Sequence, residues 1–90
     1  MRFEWDAAKA GQNLLKHGVS FAEAATAFGD PLSLTVFDSD RSGQEDRFIL
    51  LGATNAWRLV VVVHTERREI VRIISARLAT RRERKAYAIG

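Results

Sequence analysis

The chain has 90 residues, of which 47% are hydrophobic and 28% charged, with a formal net charge of +3 and no cysteine. This composition predicts one globular domain over residues 1–90, and the lack of cysteine excludes disulfides, thiolate nucleophiles and thiolate metal sites. The longest apolar run, residues 59–63, is too short to cross a bilayer, and the N-terminal residues do not resemble a signal peptide. We therefore expect a cytoplasmic protein that does not associate with a membrane.

The charge is distributed unevenly along the chain. Residues 67–85 contain eight basic and two acidic side chains, a balance of +6, whereas the remaining residues sum to −3. A cationic segment suits a polyanion such as RNA, because each neutralised phosphate releases counterions. A solvated arginine surface or an acidic protein partner would account for the segment equally well.

A first helix is predicted near the N-terminus, after residues 3–5, which alternate as in a short edge strand. Asp6 is a favourable N-cap, so the helix should begin at Ala7, run to about His17 and end at Gly18. The apolar stripe expected to pack on a sheet consists of Ala7, Ala10, Gly11, Leu14 and Leu15. The polar residues that could reach one ligand together are Lys9, Asn13, Lys16 and His17. His17 could instead interact only with the helix C-terminus.

A second, shorter helix is predicted by the capping-box spacing of Ser20 and Glu23. It should end at Phe28, because the Gly-Asp-Pro sequence that follows cannot continue a helix. Apolar residues at helical spacing predict its core contacts. These residues are Phe21, Ala24, Ala25 and Phe28.

Two strands are predicted in the middle of the chain, over residues 32–37 and 47–52, followed by a turn at residues 53–56. The polar loop between them, residues 38–46, contains four acidic side chains. Their spacing does not fit an EF-hand, so we predict no metal site there.

Residues 58–77 predict a central β-hairpin with the pattern R-LVVVVHT-ERRE-IVRIIS-AR. If Thr65 pairs with Ile70, Arg58 lies opposite Arg77, and His64 shares their face of the sheet. A last helix should open at the capping box of residues 80–83 and run to about residue 88. Together these elements predict an α+β fold, with N-terminal helices and a C-terminal helix packed on a four-stranded antiparallel sheet.

Few kinds of chemistry are compatible with the residues present. Two histidines without metal-ligand spacing and the lack of a glycine-rich loop argue against a zinc site and a nucleotide cofactor, so none is predicted. Basic side chains with one or two carboxylates suffice for metal-free cleavage of RNA. In that reaction the 2′-hydroxyl is the nucleophile, and the protein supplies a proton acceptor, a proton donor and cations.

Four parts of the sequence form a distinctive set. They are FEWDAAKAGQNLLKHGVSFAEA near the N-terminus, the pair Glu45 and Arg47, the strand ending RIISAR, and the terminal ATRRERKAY. In this combination the chain resembles the BrnT toxins of bacterial type II toxin–antitoxin modules. The resemblance implies a RelE-like fold and a ribonuclease that arrests growth by cutting RNA. It also implies a cognate antitoxin of the BrnA type, which would cover the toxin and make the contacts to operator DNA.

Residue roles within such a ribonuclease are hypotheses based on position in the chain. Arg47 and Arg77 would hold the scissile phosphate, because guanidinium groups match phosphate geometry. Either His17 or Glu45 would accept the proton of the 2′-hydroxyl, with the other assisting the leaving oxygen. The residues expected to bind RNA are Lys9, Lys16, His64, Arg72 and Tyr87.

Two other functions remain compatible with the sequence. The chain could bind RNA or ribosomes without cutting, since its catalytic inventory is small. It could also be a protein-binding subunit whose cationic segment faces an acidic antitoxin. Cleavage of RNA by the purified chain in the presence of a chelator would distinguish the enzyme from both.

Overall fold

The computed structural model of the chain describes residues 1–40, 43 and 45–89. Its helices and strands follow the predicted order closely. They are β1 (Arg2–Glu4), α1 (Ala7–His17), α2 (Phe21–Thr26) with a 3-10 turn at Ala27–Gly29, β2 (Leu34–Phe37), β3 (Arg47–Ala53), β4 (Leu59–Arg67), β5 (Ile70–Leu78) and α3 (Arg81–Ile89).

The strands form one five-stranded sheet in the order β1-β5-β4-β3-β2. The α+β class is confirmed, but the predicted four-stranded antiparallel sheet is wrong in detail. β1 adds a fifth strand and lies parallel to the first residues of β5, whereas the other neighbours are antiparallel. A three-residue strand gives a weak sequence pattern, because its pairing depends on a partner at the other end of the chain.

The predicted register of the central hairpin is wrong. The turn has two residues rather than four, so Arg67 pairs with Ile70 and Thr65 lies opposite Arg72. A bulge at Ile74 then shifts the pairing by one residue, and Arg77 lies opposite Val61. A shift of one residue exchanges the two faces of a strand, so Arg77 does not share a face with His64.

Arg58, which we expected beside Arg77, contacts α2 instead. Its guanidinium donates hydrogen bonds to Glu23, whose carboxylate also accepts one from the Thr54 hydroxyl. The Arg58 contact lowers the pKa of Glu23 below its usual value. Ser20 caps α2 as predicted by accepting from the Glu23 N–H, but the Glu23 side chain joins the helix to Arg58, the residue before β4.

The core lies between α2 and one face of the sheet, which we call the inner face. Phe21 and Ala24 of α2 are buried as predicted, and Ala25 and Phe28 pack partly buried against the core. His64 is 0% exposed on this face, between the rings of Phe28 and Phe48. The inner-face strand residues of the core are Leu50, Val60, Val62, Val71, Ile73 and Ala76.

Helix α1 has the predicted boundaries and caps, but its predicted apolar stripe is correct only at Ala10, which packs partly buried against the core. Leu14 and Leu15 are 49% and 91% exposed, and the buried residue of the helix is Asn13. The Asn13 amide donates to the Ala76 and Val19 carbonyls and accepts from the Ala76 N–H. β1 pairs only with the start of β5, so the peptide groups around Ala76 need another partner, and an amide side chain supplies both donor and acceptor.

Candidate active site

A row of polar side chains crosses the face of the sheet opposite the core, which we call the outer face. Arg47 of β3, Thr65 of β4 and Arg72 of β5 are direct cross-strand partners, so all three point to this face. Two strand spacings separate the arginines, or roughly 10 Å between their Cα atoms. Two guanidinium groups can therefore act on one phosphodiester from opposite sides of the Thr65 hydroxyl.

This row forms the floor of a cleft of about 400 Å³. Its lining residues are Lys9, Gly43, Glu45, Arg47, Thr65, Arg72 and Ile74. Lys9 comes from α1 and Glu45 from the residues before β3, so the fold gathers four of the predicted site residues from distant parts of the chain. The cleft has three cations and one carboxylate. The cations suit an anionic ligand, and the carboxylate can act as a proton acceptor.

Two of the cationic residues of this cleft, Arg72 and Lys9, form local contacts with acidic residues. Arg72 Nη1 lies 2.6 Å from Glu4 Oε2, and both side chains are about half exposed. An exposed ion pair of this kind contributes little stability, so a phosphate can compete for Arg72. Lys9 lies in the first turn of α1, where its N–H donates to Asp6. This hydrogen bond is the main reason that the pKa of Asp6 is lowered.

A second cleft of about 300 Å³ continues from the first along α1. The two share Lys9 and Ile74, so they form one groove between α1 and β5. The other residues of the second cleft are Gln12, Asn13, Lys16, His17 and Ser75. His17 lies roughly 12 Å along the helix axis from Lys9. It therefore belongs to the groove but not to the cleft of Glu45 and Arg47.

Arg77 lines neither cleft. Its two terminal nitrogens donate to the two carboxylate oxygens of Glu83, at 2.8 and 2.9 Å. Glu83 also forms a complete capping box with Thr80 at the start of α3. The Arg77 contact lowers the pKa of Glu83 to about 2. The guanidinium of Arg77 is thus engaged in fixing α3 to the sheet.

The Glu83→Gln variant is expected to lower the free energy of unfolding at neutral pH by about 1–2 kcal/mol, because it removes a charged hydrogen-bonded pair. Glu83 has a folded pKa of about 2 against an ordinary value of 4.5, so its contribution is present above pH 4.5 and is lost as the pH falls toward 2. Urea unfolding of both proteins across this range checks the prediction. A stability difference that stays constant with pH would contradict it.

Two further predicted RNA-binding residues lie outside the groove. His64 is inaccessible to RNA in this structure, because its side chain is fully buried against Phe28 and Phe48. Alternation with the buried valines of its strand could have indicated this. The Tyr87 hydroxyl donates to Asp30 at 2.6 Å, and this hydrogen bond raises the pKa of Tyr87.

Two kinds of feature are absent from the part of the chain that the structure describes. Over residues 1–40, 43 and 45–89, histidine, aspartate and glutamate side chains do not gather in a group of three or more that could hold a metal ion. In the same residues, no helix combines the length and apolarity needed to span a membrane. Part of the polar loop predicted at residues 38–46, namely Arg41, Ser42 and Gln44, lies outside the described residues.

Comparison with known proteins agrees with this architecture. Residues 5–83 match the family described as the ribonuclease toxin BrnT of type II toxin–antitoxin systems. The fold is similar to the crystal structure of the Brucella abortus ribonuclease toxin BrnT, with a TM-score of 0.66 and 24% sequence identity, covering 90% of this chain and 99% of that chain. No curated protein sequence matches the chain. Because the family match spans most of the sequence, including every residue of the groove, the chain belongs to the BrnT family of ribonuclease toxins of type II toxin–antitoxin systems.

Proposed function

We propose that the chain is an endoribonuclease that cuts RNA in the cleft of Lys9, Glu45, Arg47 and Arg72, without a metal ion or other cofactor. The observation that carries this proposal is the row of Arg47, Thr65 and Arg72 across three strands, with Glu45 in the same cleft. Paired guanidinium groups suit a phosphodiester and the charge that develops on it. A carboxylate beside them supplies the proton acceptor that the 2′-hydroxyl requires.

In the proposed reaction, Glu45 accepts the proton of the 2′-hydroxyl as that oxygen attacks the phosphorus. The bond from phosphorus to the 5′-oxygen breaks, and Lys9 protonates the leaving oxygen. The products are a 2′,3′-cyclic phosphate and a 5′-hydroxyl. We assign Lys16 and His17 to binding of the RNA backbone along α1, because they lie further along the groove. We assign Arg77 to the attachment of α3, because Glu83 occupies its guanidinium.

Membership of a type II family implies that an antitoxin neutralises this protein. We propose a partner of the BrnA type that covers the groove in the cytoplasm and makes the contacts to operator DNA. The three cations of the cleft favour an antitoxin whose acidic surface faces the groove.

The test is incubation of single-stranded RNA with the purified chain in excess EDTA, followed by analysis of the product ends. We expect cleavage with 5′-hydroxyl and 2′,3′-cyclic phosphate ends, and no cleavage of a matched strand with 2′-deoxyribose at the scissile positions. Cleavage that requires a divalent ion, or that leaves 5′-phosphate ends, would refute the mechanism. Binding without cleavage would favour a non-catalytic RNA-binding module.

A further inference from the structure

Trp57 occupies a position that neither packing nor backbone preference explains. Its side chain is 92% exposed, and its φ of 60° lies in the left-handed region that favours glycine. By contrast, Trp5 packs against the Phe21 ring at a centroid distance of 6.0 Å. The fold therefore gains little from an indole at position 57, which suggests that the ring contacts a ligand.

The turn that carries Trp57 is held firmly. The Trp57 N–H donates to the Thr54 carbonyl, and the Thr54 N–H donates to the Arg58 carbonyl. The Thr54 side chain is buried, accepts from the Ala56 N–H and donates to Glu23. These hydrogen bonds fix the backbone that carries the indole, so a ligand that stacks on the ring would not have to order a mobile loop.

The basic helix α3 begins at the same end of the sheet as the turn that carries Trp57. The Ala79 N–H donates to the Leu59 carbonyl at 2.9 Å, and Trp57 and Arg81 are each two residues from that hydrogen bond. The exposed basic residues of α3 are Arg81, Arg82, Arg84 and Lys85. Its one acidic residue, Glu83, is engaged with Arg77. None of the described residues of α3 is buried. Because its exposed charged residues are all basic, positive charge dominates the exposed surface of the helix.

We propose that Trp57 stacks on an unpaired base of the RNA while Arg81 and Arg82 bind the adjacent phosphates. An exposed aromatic ring beside cations is the arrangement that holds single-stranded nucleic acids, because every base has a face that can stack. Thr65 in the cleft and Leu59 near Trp57 are six residues apart on β4, or roughly 20 Å. A single strand several nucleotides long would contact both places. This inference rests on the proposed function, since it extends the RNA path beyond the cleavage cleft.

The test measures binding of a single-stranded oligonucleotide with 2′-O-methyl groups, which cannot be cut through a 2′-hydroxyl. In a Trp5→Phe background, Trp57 is the one tryptophan, and we expect its fluorescence to be quenched as the oligonucleotide binds. The Trp57→Gly variant should bind about tenfold more weakly but unfold at an equal or higher urea concentration, because glycine relieves the left-handed backbone. A ring with a structural role would instead give a protein that unfolds at lower urea concentration.

Three further variants isolate the ring, the backbone and the charges. Trp57→Phe keeps an aromatic face and should retain most of the affinity. Arg68→Gly relieves Arg68 in the β4–β5 turn, whose φ is also 60°, and should not reproduce the tenfold loss. The Arg81→Gln and Arg82→Gln double variant should reduce the slope of log affinity against log salt by roughly one for each arginine.

Unchanged affinity of Trp57→Gly, or unquenched Trp57 at saturation, would overturn this inference while leaving cleavage in the cleft intact. Quenching by an acidic protein partner but not by the oligonucleotide would also overturn it, and would assign the indole to a protein interface. The probe cannot be cut, so its binding is measured independently of cleavage. Failure of the wild-type protein to cleave ordinary RNA would therefore refute the proposed function in a separate experiment.

Discussion

The Arg47→Ala protein is expected to cleave RNA about 100- to 1000-fold more slowly than the wild type under single-turnover conditions, which is the usual cost of removing one preorganised donor from a transition state. Arg47 starts β3 in the same cleft as Glu45, and its cross-strand partner is Thr65. In the proposed reaction, its guanidinium stabilises the charge that accumulates on the phosphorane. The measurement is the first-order rate of cutting of a labelled oligonucleotide at saturating protein.

Two variants control for this prediction. Arg47→Lys keeps the charge but loses the two-point contact with phosphate oxygens, so an intermediate rate is expected. Arg2→Ala removes an exposed cation from β1, outside the groove, and should cut at nearly the wild-type rate. A folded Arg47→Ala protein that cleaves within a factor of about three of the wild type would remove Arg47 from the mechanism.

The Asn13→Ala variant is expected to lose about 2–4 kcal/mol of unfolding free energy, because it leaves buried backbone groups without partners. The lost hydrogen bonds join α1 to Ala76 and Val19. Cleavage should fall as well, because Asn13 fixes the helix that carries Lys9 to the edge of β5. Urea unfolding measures the first effect, and RNA cleavage at low temperature, where the variant remains folded, measures the second.

The matched controls for Asn13 retain part of its chemistry or remove a neighbour. Asn13→Asp keeps an acceptor for the Ala76 N–H but places a carboxylate where two donors are needed, so a comparable loss is expected. Gln12→Ala changes an exposed residue one position away and should be nearly neutral. An Asn13→Ala protein within about 0.5 kcal/mol of the wild type would show that the β5 edge needs no side-chain partner.

The sequence was most informative about features that depend on neighbouring residues. Asp6, Ser20 and Thr80 each cap a helix as predicted, because a capping side chain and the N–H it accepts from are three residues apart. Gly18 ends α1 at a φ of 71°, as its glycine indicated. The family resemblance had the same basis, since it rested on short strings and was confirmed by the match over residues 5–83.

Features that depend on distant residues were predicted less well. The sequence placed Asn13 on a solvent-exposed, polar face of the helix. Its role as a hydrogen-bond partner of the backbone is evident only once Ala76, 63 residues away, is known to lie on a strand edge that β1 does not cover. The leucines of α1 were wrongly assigned to the core, because the sequence does not show which side of the helix faces the sheet. The bulge at Ile74 also has no local signal, yet it decides which face Arg77 occupies.

Four of the nine predicted site residues line the candidate cleft. Lys9, Glu45, Arg47 and Arg72 were named from charge, position and family resemblance, and the fold brings them to one cleft. Thr65 was missed as a site residue, because its place between Arg47 and Arg72 requires the true register. The expected meeting of Arg77 with His17 was based on their positions in the chain, and neither cleft of the groove contains both.

The location of the RNA site can be tested most directly by nuclear magnetic resonance. Backbone amide shifts of labelled protein would be followed during titration with the uncleavable 2′-O-methyl oligonucleotide. The account predicts the largest shifts at Lys9, Thr65, Arg72 and Ile74, around the cleft. Large shifts confined to β2 (Leu34–Phe37) at the far edge of the sheet, with the cleft unchanged at saturation, would contradict it.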